Sequence, residues 1–117
     1  MQYRLKAFLT NYCRAYENKQ LDKFSTFFTS DAVEKGKPFS SFLQQYRRNF
    51  ERIDSMNYRI ELKRYAVQEE IGLVRIEGIF HVRARLIGSQ KWRQSKGKIY
   101  MELVASGDSF KVRRLDY

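Results

Sequence analysis

The chain has 117 residues, is 43% hydrophobic and 15% aromatic, and carries a formal net charge of +10 from 23 Lys and Arg against 13 Asp and Glu. That is the size of one domain with a real core and too apolar for a disordered tail, and no apolar run approaches the roughly 20 residues of a membrane-spanning helix. One Cys and one His exclude an internal disulfide and a His- or Cys-rich metal site, while the positive balance favours anionic partners.

Leu5, Phe8, Leu9, Tyr12, Cys13 and Tyr16 recur at helical spacing and predict an amphipathic helix from about Gln2 to Asn18. Cys13 lies on its apolar face and reads as a small buried hydrophobe. The opening MQYRLKAFLTNYC is broken by charge every few residues and has no signal-peptide core. Leu21, Phe24, Phe27 and Phe28 predict a second, shorter helix, with Asp22 near its positive end. Thr29 to Phe39 is a connector punctuated by Gly36 and Pro38, with one brief strand over Ala32 to Lys35. A third helix is expected from Ser41 to about Ile53. Ser41 and Gln44 form a capping box, and Phe42, Leu43, Tyr46, Phe50 and Ile53 form the apolar stripe. Arg47, Arg48 and Arg52 give it a basic flank.

From Ser55 the period switches to two. Met56, Tyr58, Ile60 and Leu62 alternate with Asn57, Arg59, Glu61 and Lys63, and Ala66 to Glu70 reads as a loop. Gly72 to Gly88 is the longest clean alternation: Val74, Ile76, Phe80, Val82, Ala84 and Leu86 on one face, Arg75, Glu77, His81, Arg83 and Arg85 on the other. Trp92 to Ala105 is another long strand, with Ile99, Met101 and Leu103 opposite Lys96, Lys98, Tyr100 and Glu102. Ser106 to Asp108 makes a tight turn into a last strand over Phe110 to Leu115. Helices followed by an antiparallel meander make an α+β domain, its three N-terminal helices laid on one face of a curved antiparallel sheet. Residues 1–117 form one domain, expected to be excised from a longer protein because both ends lie almost flush with structure.

The segment Leu21-Asp22-Lys23-Phe24 with Phe27-Phe28, then Ser30-Asp31-Ala32, and the terminal SFKVRRLDY hairpin, in this order and spacing, resemble the nuclear-transport-factor-2-like superfamily. This group includes ketosteroid isomerases and SnoaL-like cyclases as well as non-catalytic modules. The resemblance implies a cone-shaped domain with a pocket between the concave sheet face and the helices, and dimerisation through the sheet. Tyr12 matches the position of the isomerases' oxyanion-stabilising tyrosine. Their general-base aspartate falls where this chain has Lys35 or Gly36, with Glu34 one pleat away. The expectation is therefore a non-catalytic ligand-binding or protein-interaction module, an accessory domain of a larger bacterial protein, with no cofactor and no metal. Its compartment follows its host: cytoplasm, or cell envelope if that host is exported.

An alternative is a SnoaL-like isomerase, cyclase or dehydratase acting on a small hydrophobic substrate through Tyr12, Tyr46 and His81. His81 shares the parity of Arg75 and Arg83, which points it away from the pocket. Tyr12, Tyr16, Phe28, Tyr46, Phe50 and Tyr58 are the candidate pocket lining, suited to a small, flat or apolar ligand. Arg59, Lys63, Arg75, Arg83, Arg85, Lys96 and Lys98 share the outer sheet face with Glu61, Glu77 and Glu102. That face supports either a salt-bridged homodimer or an acidic protein or anionic polymer, nucleic acid included, bound electrostatically. Sequence-specific nucleic-acid recognition is not supported, since the aromatics sit mostly on apolar faces away from the basic residues.

Overall fold

A computed structural model describes residues 1–117. Helix α1 (Gln2–Glu17) buries Leu5, Phe8, Leu9, Tyr12, Cys13 and Ala15, the stripe that the helical period predicts. Helix α2 (Leu21–Ser25) is shorter than its apolar spacing suggests. Phe28 opens strand β1 (Phe28–Glu34), because the Phe27 carbonyl accepts the Val112 N–H at 2.7 Å and the sheet claims the backbone there. β1 turns through Lys35 and Gly36, both at positive φ, into the two-residue strand β2 (Lys37–Pro38). The Ser41 hydroxyl donates to the Pro38 carbonyl at 2.6 Å instead of capping a helix. A 3₁₀ turn therefore occupies Phe39–Phe42, and α3 (Leu43–Arg52) starts without a side-chain cap.

Four long strands follow: β3 (Ile53–Gln68), β4 (Leu73–Leu86), β5 (Trp92–Ser106) and β6 (Ser109–Asp116). The residues read as a loop after Tyr65 belong to β3, since Ala66, Val67 and Gln68 pair with Arg75, Val74 and Leu73. The sheet order is β2-β1-β6-β5-β4-β3. β3 to β6 form the antiparallel meander, while β1 joins β6 in parallel, so the curved, unclosed sheet is mixed. Fourteen residues of β4 at about 3.3 Å each span roughly 46 Å, which accounts for the 50 Å long axis of the molecule.

Two bulges set the facing of what comes after them. Lys63 is the extra residue between the Leu62–Gly78 and Arg64–Glu77 pairs, and past it Tyr65 and Val67 oppose Ile76 and Val74. Arg113 is extra between the Leu103–Val112 and Glu102–Arg114 pairs, which keeps Leu115 on the inner face with Val112. The outer edge of β3 is covered at Tyr58 by α1. The Tyr58 N–H, turned away from β4, donates to the Glu17 carboxylate at the end of α1 (2.9 Å).

The core lies between α1 and the inner face of β1, β4, β5 and β6. A chain of aromatic contacts, Phe8–Tyr12–Phe24–Tyr46, links the helices across it. Gly97 sits under the Phe80 ring on the neighbouring strand. A Cβ there would lie 2.8 Å from Cε2, so the ring's position depends on the missing side chain.

Candidate functional site: the carboxylate at the end of the cone

Between α1, α3 and the inner face of the sheet lies a cavity of about 510 Å³. Tyr12 and Tyr16 reach it from α1, Tyr46 from α3 and Tyr58 from β3. Phe80, Val82, Ile99 and Leu115 supply the apolar floor from β4, β5 and β6. Phe28 and Phe50, expected in the lining, are packed elsewhere. Phe28 is stacked on Phe39 at 3.8 Å between ring centroids, and Phe50 packs edge-on against Tyr16 at 5.1 Å. Both are core because their rings find aromatic partners behind the cavity wall.

Glu34 dominates the polar end. It is the one charged residue that is fully buried, at 1% exposure. Parallel pairing sets Glu34 beside Leu115, and its side chain faces inward with that residue. The Tyr46 hydroxyl donates to Oε1 at 2.7 Å, and the Tyr117 hydroxyl donates to Oε2 at 2.6 Å. No basic side chain lies within 4.0 Å of it. Lys35 lines the same cavity, but its ammonium sits over the Tyr117 ring, 4.0 Å from the centroid. Glu34, expected one pleat off the position of the isomerases' base, has its carboxylate inside the cavity.

The phenols around this carboxylate are held protonated. Burial pushes the Tyr12 and Tyr58 hydroxyls well above the ordinary tyrosine range. Tyr46 and Tyr16 are raised by burial first and by the Glu34 charge second. Tyr117 is raised by burial and by its hydrogen bond to Glu34. The site therefore presents one carboxylate, several neutral hydroxyls and aromatic faces. Cys13, raised to about 12 by burial, adds no thiolate.

His81 is on the other side of the sheet. Its Nε2 lies 3.8 Å from Glu61 and has no hydrogen-bond partner. It cannot act with Tyr12 and Tyr46, which meet the cavity from the inner side. The outer face carries the basic residues as cross-strand rows, with Arg59, His81 and Lys96 side by side on β3, β4 and β5. Lys63 pairs with Glu61, Arg75 and Arg113 with Glu102, Arg64 with Glu77, and Arg85 with Asp54. Arg59, Arg83, Lys96 and Lys98 have no carboxylate within 4.0 Å. The Arg83 guanidinium instead lies 4.5 Å over the Trp92 ring. Lys63 pulls Glu61 below the usual carboxylate range. Burial raises Glu102, but Arg113 and Arg75 outweigh it and hold that carboxyl low as well.

Glu34 and Tyr117 were within reach of sequence reasoning. Phe28, Ala32 and Glu34 share one parity along β1, and all three are buried. Tyr117 shares the parity of Leu115. What the sequence does not mark is that both lie at the same end of two parallel neighbours.

No sequence-family model matches the chain, and no curated protein matches it in sequence. Solved structures match its fold over nearly the whole length. A conserved protein from Planctomyces limnophilus is 12% identical over 99% of this chain and 93% of its own, with a TM-score of 0.83. A candidate scytalone dehydratase from Novosphingobium aromaticivorans is 7% identical over 98% of this chain and 80% of its own, with a TM-score of 0.86. A nuclear transport factor 2-like superfamily protein from Salmonella enterica serovar Typhimurium is 8% identical over 97% and 86%, with a TM-score of 0.76. The chain has the nuclear-transport-factor-2-like, α+β fold. Identities this low carry the fold and nothing finer, and one such fold hosts many unrelated functions.

Proposed function

We propose that this domain is a small-molecule-binding module whose ligand occupies the cone, with an apolar or aromatic body on the floor and a polar end at Glu34, Tyr46 and Tyr117. One observation carries the reading: the buried carboxylate with two phenol donors at the end of a 510 Å³ cavity. A pocket of this size, mostly apolar with a few convergent polar groups, is what small-ligand sites look like. A chain needing Glu34 only for stability gains little from an apolar space beside it. Ligand-observed NMR with a panel of small aromatic and alicyclic compounds tests this. Saturation transfer to several members, lost when Ser95→Trp blocks the cavity from β5, supports the reading. No transfer to any member overturns it.

A second reading, proton transfer, is favoured by the same carboxylate. A desolvated Glu beside neutral phenols has the parts of a general base with hydrogen-bond donors for a developing oxyanion. Hydrogen–deuterium exchange next to the carbonyl of small cyclic ketones measures it directly. Exchange abolished in Glu34→Gln makes the module an enzyme; exchange no faster than buffer leaves it a binder.

The outer sheet face supports an anionic partner better than a copy of itself. In a face-to-face dimer Glu61, Glu77 and Glu102 would have to leave their own cations to neutralise the partner's unpaired Arg59, Arg83, Lys96 and Lys98. An acidic protein surface or anionic polymer meets those four cations without that exchange.

A further inference from the structure

Glu34 has an unusual charge environment for a buried carboxylate. Charged groups almost never lie fully buried unless a partner neutralises them. Here both partners are neutral phenols, and no Lys, Arg or His lies within 4.0 Å. The cavity in front of it is walled by the rings of Tyr12, Tyr16, Tyr46, Tyr58, Phe80 and Tyr117. Ring faces carry negative quadrupole potential and attract cations, most strongly where water is excluded. Each phenol that donates its hydrogen bond to Glu34 keeps its oxygen lone pairs free, and hydrogen-bond chains of this kind polarise one another, so those oxygens accept more strongly. The cavity already holds one such contact. The Lys35 ammonium rests 4.0 Å over the Tyr117 ring rather than pairing with a carboxylate.

We infer that the ligand of the cone is an organic cation, an amine or quaternary ammonium on a small apolar body, held by the Glu34 carboxylate and the surrounding tyrosine rings. This rests on the ligand-binding reading of the cone and specifies its ligand class. The net charge of +10 does not oppose it at close range. The unpaired cations Arg59, Arg83, Lys96 and Lys98 lie on the opposite face of the sheet, and Lys35 is the one basic residue in the lining. Screening confines charge effects to about 8 Å at physiological salt. Lys35 is then a competitor for the same rings, and removing its charge should strengthen binding.

The test compares benzylamine, a cation at pH 7, with neutral benzyl alcohol and anionic benzoate, by titration calorimetry and ligand-observed NMR on the whole chain. Benzylamine should bind at least ~10-fold more tightly than benzyl alcohol, a ratio set by about 1.4 kcal/mol, and benzoate most weakly. Glu34→Gln should erase the preference for the amine over the alcohol. Lys35→Met should raise benzylamine affinity several-fold. If the amine and the alcohol bind alike, the cation inference is overturned and the ligand-binding reading stands. If all three fail to bind, both fall. If Lys35→Met weakens the amine, Lys35 is not a competitor and the electrostatic argument is wrong. Thermal denaturation of each variant separates loss of the fold from loss of the site.

Discussion

Removing the Tyr46 hydroxyl isolates the central interaction of the cone. In Tyr46→Phe the ring keeps its contacts with Phe24, Tyr16 and Phe39, so no packing cavity opens. What is lost is the 2.7 Å hydrogen bond to Glu34 Oε1, in a residue only 1% exposed. Bonds to charged groups contribute about 1.5–3 kcal/mol, and the orphaned acceptor bears that cost because little water reaches it. At about 2.1 cal/mol/K per residue, a chain of 117 residues has an unfolding entropy near 0.25 kcal/mol/K. The melting temperature should fall by roughly 6–12 °C. Tyr117→Phe removes the twin bond, but Tyr117 is half-exposed and water can replace its hydroxyl, so a loss under about 1 kcal/mol is expected. Circular-dichroism melts and urea midpoints measure both. Combining Tyr46→Phe with Glu34→Gln should give a coupling energy of about 1 kcal/mol or more, because the two groups are in direct contact. A Tyr46→Phe protein melting within about 2 °C of the parent, a shift under ~0.5 kcal/mol, would show that the carboxylate does not depend on this donor and refute the account of the site.

The tyrosines make the fold sensitive to alkali. Burial raises Tyr12, Tyr46 and Tyr58 in the folded state, so above pH ~10 the unfolded chain has lost protons that the folded one keeps. Stability is full below that pH and should fall by about 1.4 kcal/mol per pH unit for each such tyrosine above it. Ultraviolet titration should show these phenols ionising together with unfolding; ionisation in a chain that stays folded would contradict their burial. Gly97→Ala sets a Cβ 2.8 Å from the Phe80 ring and should cost about 1–3 kcal/mol in urea unfolding while pushing the ring into the cavity. An unchanged midpoint would mean that the ring yields freely. Light scattering should find a monomer at low and at high salt, and heparin retention should drop sharply in an Arg83→Glu, Lys98→Glu double variant. A stable dimer at both salts would place the outer face in a self-interface.

Periodicity alone reached most of the architecture. The α1 stripe of Leu5, Phe8, Leu9 and Tyr12 and the β4 alternation of Val74, Ile76 and Arg75 read directly, because one-sided burial writes its period into the sequence. It also set the inner and outer faces, and with them the row of cations that includes Arg59, Arg83 and Lys96. Local patterns misled at two places, one through a competing local bond and one through a tertiary partner. Ser41 spends its hydroxyl on Pro38 and not on a helix cap, and Phe28 leaves the α2 pattern because β6 captures its backbone. The site itself was decided by tertiary structure. Glu34 and Tyr117 are 83 residues apart. They meet because β1 lies parallel to β6, and because the bulge at Arg113 keeps Leu115 facing inward. Parallel pairing across the whole chain and a one-residue bulge leave no local period, so the meeting of Glu34 with Tyr117 becomes visible only when the sheet is assembled.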